Sequence, residues 1–196
     1  EQYPNTYIGW NILGVSSEQL GMLDDAIKAY NKTISLNPNY AEAFNNKGNA
    51  LKRKGELDNA IDAYKKAITL KPNYAEAYSN MGYALQDKGK LDEAIEAYKK
   101  AILHKNDSAE IYINLGNALQ DTGNFDEAIK VYNKALMLKP NFTDAYYNLG
   151  NAFKDQGNLD MALEAYYKAL SLNPNYVEVY NNLGVALKNQ GKLDDA

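Results

Sequence analysis

The sequence predicts an all-α solenoid of antiparallel helix pairs with a 34-residue period. Three observations carry that expectation. Gly14, Gly48, Gly82, Gly116, Gly150 and Gly184 stand 34 residues apart, and so do Gly21, Gly55, Gly89, Gly123, Gly157 and Gly191. A fixed period along the whole chain marks a stack of like units that pack on their neighbours instead of around one centre. Within each period, apolar residues recur at i, i+3, i+4, i+7 spacing in two separate stretches, one face each of two helices.

Placing the first glycine series at the eighth place of the repeat sets the frame. The repeats then run 7–40, 41–74, 75–108, 109–142 and 143–176, with a partial sixth at 177–196 and a remnant of a preceding repeat at 1–6. The first helix is marked by places 4, 7, 8 and 11, as in Tyr112, Leu115, Gly116 and Leu119. The glycine of place 15 follows polar residues, as in Gln120-Asp121-Thr122-Gly123, and reads as a helix C-cap. An aspartate comes three places later (Asp24, Asp58, Asp92, Asp126, Asp160, Asp194), where it faces the positive end of the next helix dipole.

The second helix is marked by places 17, 20, 21, 24, 27 and 28, as in Leu91, Ala94, Ile95, Tyr98, Ala101 and Ile102. It stops at Pro38, Pro72, Pro140 or Pro174. Asn39, Asn73, Asp107, Asn141 or Asn175 then reads as the next N-cap. With Glu42, Glu76, Glu110 or Glu178 three residues on, the spacing matches a capping box. Each helix is then about 14 residues, or roughly 21 Å. Glycine at place 8 and alanine at places 20 and 27 allow close helix approach.

Composition narrows the function. Apolar residues make up 45% of the 196, enough for a continuous core. A net charge of −4 is a poor match to nucleic-acid phosphates. The absence of cysteine excludes disulfides, thiolate metal sites and a cysteine nucleophile. No apolar run approaches the roughly 20 residues of a membrane helix. Lack of cysteine and of a signal pattern points weakly to an intracellular setting.

No catalytic constellation is present, so the expectation is a protein that is not an enzyme and carries no cofactor or metal. The single histidine, His104, stands near a helix end where its siblings show leucine, and no Ser/His/Asp set assembles around it. The glycines punctuate helices and make no phosphate-binding motif.

The pattern resembles the tetratricopeptide repeat (TPR) family. Trp10-Leu13-Gly14, Ala26, Tyr30 and Pro38 carry the likeness in the first repeat, and Tyr112-Leu115-Gly116-Leu119, Ala128, Tyr132, Ala135 and Pro140 in the fourth. The resemblance implies a superhelix whose first helices line a concave face through places 2, 5, 6, 9, 12 and 13. Place 6 reads Ile12, Asn46, Asn80, Asn114, Asn148, Asn182, and place 9 reads Val15, Asn49, Tyr83, Asn117, Asn151, Val185. An amide is both donor and acceptor, so this ladder can pair with the backbone of an extended peptide. The same amides also fit a role in helix–helix geometry.

Other groove places vary and set specificity. Lys52 and Arg53 form a basic spot, Asp87, Asp121 and Asp155 an acidic line, and Tyr83, Ile113 and Tyr147 add apolar surface, with Ile113 the expected apolar anchor. The leading expectation is an interaction scaffold for an extended segment of a protein partner, without nucleic acid or membrane. The alternatives are the substrate-selecting arm of a larger enzyme, as in O-linked N-acetylglucosamine transferases, and a self-assembling array.

Overall fold

The computed structural model describes residues 6–191. The elements are α1 (Tyr7–Gln19), α2 (Leu23–Leu36), α3 (Ala41–Arg53), α4 (Leu57–Leu70), α5 (Ala75–Asp87), α6 (Leu91–His104), α7 (Ala109–Asp121), α8 (Phe125–Leu138), α9 (Thr143–Asp155), α10 (Leu159–Leu172) and α11 (Val177–Asn189). Odd-numbered helices are the first helices of the repeats, and even-numbered ones the second. Among the described residues there is no strand. The remnant at 1–5, Asp194 and the rest of 192–196 lie outside the described residues.

The chain forms two compact units, Glu1–Lys105 with α1 to α6 and Asn106–Ala196 with α7 to α11. Within each unit every helix packs on the next in sequence, and first helices also touch one repeat apart, α1 on α3, α3 on α5, α7 on α9 and α9 on α11. This is the nearest-neighbour packing of an α-solenoid of helix pairs.

Each pair closes on one contact. The rings of Tyr30, Tyr64, Tyr98, Tyr132 and Tyr166, all at place 24, are fully buried. Each lies against the place-8 glycine of its own first helix. A Cβ added at Gly116 would sit 2.3 Å from Tyr132 Cε1, and one at Gly48 2.5 Å from Tyr64 Cε1. The glycine is therefore required by the tyrosine ring that fills its missing side chain. Alanines at place 20 (Ala26, Ala60, Ala94, Ala128, Ala162) are fully buried beside it.

The turn within each pair is set by the place-15 glycine. Gly123 takes φ +77°, and the five glycines in register with it are also left-handed, as a helix C-cap requires. The place-18 aspartates lie in the first turns of α2, α4, α6, α8 and α10. They do more than face a dipole. Asp24 accepts from Lys54 Nζ at 2.7 Å, and Asp58 pairs with Lys88. Asp126 accepts from Gln156 Nε2 at 2.5 Å, and Asp160 accepts from Gln190. Each bond ties place 18 of one repeat to place 14 of the next.

The expected capping boxes do not form. The N-cap residues are Tyr40, Tyr74, Ser108, Phe142 and Tyr176, one position later than the asparagines, and none makes a side-chain cap bond. Glu42 and Glu110 turn to lysines instead, Lys71 Nζ standing 2.9 Å from Glu42 and Lys139 Nζ 3.4 Å from Glu110, while Glu76 accepts from Asn45. The same lysines cover the rings of Tyr74 and Phe142 at 4.5 and 4.2 Å. A side-chain cap does occur at Thr6, whose Oγ1 accepts from Gly9 N at 3.2 Å.

Gly116→Ala is expected to lower stability by about 1–3 kcal/mol through overpacking. Urea unfolding followed by circular dichroism measures the change; a stability equal to the parent's would contradict the ring contact.

Candidate functional site

The site is built outward from the buried tyrosines. Each ring is locked in the core while its hydroxyl reaches the face formed by the first helices. Where place 9 is asparagine, the hydroxyl bonds to it: Tyr64 donates to Asn49 Oδ1 at 2.8 Å, Tyr132 to Asn117 Oδ1 at 2.8 Å and Tyr166 to Asn151 Oδ1 at 2.7 Å. In the first and third repeats place 9 is Val15 or Tyr83. There the hydroxyls turn to place 12, Tyr30 to Glu18 at 2.9 Å and Tyr98 to Gln86 at 3.2 Å. Tyr132 also stands 3.1 Å from Gln120 Oε1 at place 12, so an asparagine at place 9 adds a nearer acceptor beside the one at place 12.

Burial pushes the Tyr30, Tyr64, Tyr132 and Tyr166 hydroxyls well above their ordinary range, and nearby carboxylates add to it. Tyr176, beside Asp144, is pushed up to about 12, chiefly by burial.

The place-6 amides bond across to the preceding repeat, with different partners in the two units. In the N-terminal unit Asn46 Nδ2 donates to Asn11 Oδ1 at 3.3 Å and Asn80 Nδ2 to Asn45 Oδ1 at 3.0 Å, both acceptors at place 5. In the C-terminal unit place 5 is Ile113 or Tyr147. Asn148 Nδ2 donates to Asn117 Oδ1 at 3.0 Å and Asn182 Nδ2 to Asn151 Oδ1 at 2.8 Å, both at place 9, and Asn182 also reaches the Tyr147 hydroxyl at 3.1 Å. Asn46, Asn49, Asn80, Asn114, Asn117, Asn148, Asn151 and Asn182 are all half-buried. Seven of these eight make bonds within the fold.

Two expectations need correction. Ile113 is 7% exposed and offers no anchor on the surface, because place 5 faces the adjoining first helix. Its counterpart Asn45 shows this geometry, being fully buried with Nδ2 3.2 Å from Glu76 Oε1. Sequence reading missed Asn45, although its place-5 position was the available signal. Lys52 and Arg53 are not an open basic spot. Arg53 Nη1 donates to the Glu18 carbonyl at 2.7 Å and stands 3.5 Å from its carboxylate. Lys52 Nζ lies 4.1 Å over the Tyr83 ring, where burial depresses its pKa against the opposing pull of Asp87 and Glu18.

Tyr83 is 47% exposed, and the exposed apolar residues of the first helices also include Ile8, Ile12 and Val185. Of the acidic line, Asp155 is engaged by Gln120 Nε2 at 2.7 Å and by Lys154 at 3.7 Å. Asp121 and Asp155 both act on the Tyr132 hydroxyl, which places them at the amide row. His104 is exposed and stacks on Tyr78 at 5.7 Å. Among the described residues no group of three acidic or histidine side chains could hold a metal, and no helix is long and apolar enough to cross a membrane.

A second surface escaped the sequence reading. A groove of about 750 Å³ lies among α8, α9 and α10, with Met137, Met161, Tyr146, Tyr167, Leu149 and Phe153 on its walls. Its counterpart among α2, α3 and α4 holds about 440 Å³ and has Lys47 and Asn59 where Leu149 and Met161 stand. That difference was visible in the sequence as methionine at place 19.

Helix pairs in a fixed register, a shared tyrosine–glycine closure and an amide-bearing face define a solenoid repeat scaffold. A family model described as TPR repeat matches residues 19–55, 48–89, 84–123, 116–157 and 150–191, and the chain belongs to the tetratricopeptide repeat family. Solved structures agree. The MamA protein is 30% identical over 89% of this chain and 95% of its own, with a TM-score of 0.78. MamA of Desulfovibrio magneticus RS-1 is 19% identical over 90% and 99%, with a TM-score of 0.80. YrrB, a TPR protein with an unusual peptide-binding site, is 22% identical over 90% and 91%, with a TM-score of 0.76. The last two likenesses concern the fold alone. No curated protein sequence matches the chain.

The raised tyrosines give a pH prediction. A neutral phenol favoured by folding contributes stability that is fully present below the unfolded pKa of about 10 and is lost as pH rises toward the folded value. The thermal midpoint is therefore expected to show no tyrosine-linked loss below about pH 9 and to fall above about pH 10. Absorbance at 295 nm should show the buried phenols ionising together with the loss of helix. Ionisation well before unfolding would contradict the burial.

Proposed function

We propose that the chain, a TPR interaction scaffold, holds an extended segment of a partner protein along the first-helix face of a unit. The half-buried asparagines of places 6 and 9 carry this reading. All but Asn114 are held by bonds within the fold, and all but Asn182, whose Nδ2 donates to both Tyr147 and Asn151, keep N–H capacity. Groups held this way lose little freedom on binding, which favours affinity. An extended strand rises about 3.3 Å per residue, so amides on packed helices about 8–10 Å apart meet roughly every third ligand residue.

YrrB, similar in fold, is itself described as peptide-binding. The net charge of −4 favours a protein partner over nucleic acid. Tyr83, with Lys52 over its ring, supplies a surface for a side chain of the bound segment.

The test starts from a random 12-residue phage-displayed library selected on the chain, with the best sequence made as a free peptide. Calorimetry then compares the parent with an Asn114→Ala, Asn148→Ala, Asn182→Ala triple variant of unchanged helix content, all three changes in the C-terminal unit. At about 1 kcal/mol net per hydrogen bond, affinity is expected to fall on the order of 100-fold. Equal affinity would place the peptide elsewhere and end this reading.

A further inference from the structure

The hydrogen bonds give the ladder a direction. An amide carbonyl has two lone pairs and an amide NH2 two protons. In the C-terminal unit Asn117 Oδ1 accepts from Tyr132 OH at 2.8 Å and from Asn148 Nδ2 at 3.0 Å. Asn151 Oδ1 accepts from Tyr166 OH at 2.7 Å and from Asn182 Nδ2 at 2.8 Å. The Tyr132 hydroxyl also lies 3.1 Å from Gln120 Oε1, but Asn117 Oδ1 is its nearer acceptor, so each of the two carbonyls is met by two donors from within the fold. The NH2 groups of Asn117 and Asn151 donate to no protein atom in any of these bonds.

We propose that Asn117 and Asn151 act as donors only and read acceptor groups on a partner, namely the backbone carbonyls of an extended segment, and not its N–H groups. This rests on the peptide-holding reading above and gives that partner its chemistry.

The cause lies one turn away. In the second repeat, with amides at both places, Asn45 at place 5 accepts the place-6 proton of Asn80 and Asn49 Oδ1 receives Tyr64 without a place-6 amide; Asn46 bonds to Asn11 where place 9 is Val15 and offers no acceptor. Ile113 cannot accept, so Asn148 turns to Asn117 and fills it. Tyr147 takes one proton of Asn182 through its hydroxyl, and the other goes to Asn151. Two substitutions at place 5 thus convert the place-9 amides of the C-terminal unit from two-way groups into donors.

Donors could equally meet an anion. Asp121 and Asp155 lie close enough to raise the Tyr132 hydroxyl, and their charge disfavours a carboxylate or phosphate at the same row. A neutral carbonyl is the acceptor left, on a segment that is uncharged or basic there.

The test has an arm without ligand. In nitrogen-15 NMR of the free chain, one side-chain proton of Asn148 and both of Asn182 are expected to exchange slowly. Both protons of Asn117 and Asn151 are expected to exchange as fast as those of exposed Asn141. Slow exchange at Asn117 or Asn151 would overturn the proposal whatever the chain binds. The second arm uses the phage-selected synthetic peptide on an Asn117→Asp, Asn151→Asp variant. Aspartate keeps the acceptor for both tyrosines and both asparagines and removes only the donors. The expected result is an unchanged thermal midpoint with affinity lower by about 30-fold at 0.5 M salt, where added charge is screened. Retained affinity, with the triple alanine variant still impaired, would overturn donor-only reading while leaving the groove intact. Full affinity in both variants would overturn the peptide reading itself, and with it the partner assigned to these amides.

Discussion

The fold depends on a ring pressed into the space where a glycine has no side chain. At place 24 the tyrosine is wholly buried, and at place 8 no larger residue fits against it. That contact fixes the distance between the two helices of a repeat. It also fixes the point at which the phenol leaves the core. Because the ring cannot move, its hydroxyl arrives at the first-helix face in one position per repeat. The amides there are oriented by a core residue, and so their geometry is as rigid as the packing behind them.

Repetition lets one residue serve several purposes. The place-18 aspartate stands in the first turn of its own helix and also meets place 14 of the following repeat. These contacts are exposed, and each contributes little stability on its own. Their value lies in register: a slip of one residue would break them all within a unit. The buried alanines of places 20 and 27 act similarly, since a larger side chain at either would force neighbouring helices apart.

Much of this was legible in the sequence. The period, the glycine C-caps and the apolar stripe that opens the second helix at place 17 follow from spacing alone, because they depend on residues close in the chain. What was not legible depended on residues about 34 apart meeting in space. Glu42 and Glu110 had the spacing of a capping box, yet lysines 29 residues away offered a better partner. Ile113 looked like exposed apolar surface when read on its own helix. Its burial follows from the neighbouring repeat, as the fully buried Asn45 at the same place shows. Sequence periodicity tells which way a side chain leaves its helix, but not what it meets there.

The amide rows illustrate the same limit at the level of chemistry. Asn117 and Asn49 are the same residue at the same place, and each receives a core tyrosine at 2.8 Å. They differ because of what stands at place 5. A place-6 amide has to put its proton somewhere, since a half-buried donor left unpaired is costly. With Asn45 available beside Asn49 it goes to place 5, and with Ile113 there it goes to place 9. A hydrophobic substitution that touches no ligand thereby changes the donor and acceptor character of a surface one turn away. Variation at place 5, a position buried at Asn45 and Ile113, is therefore a means by which asparagines at one place of a repeat scaffold can take on different donor and acceptor character in different repeats.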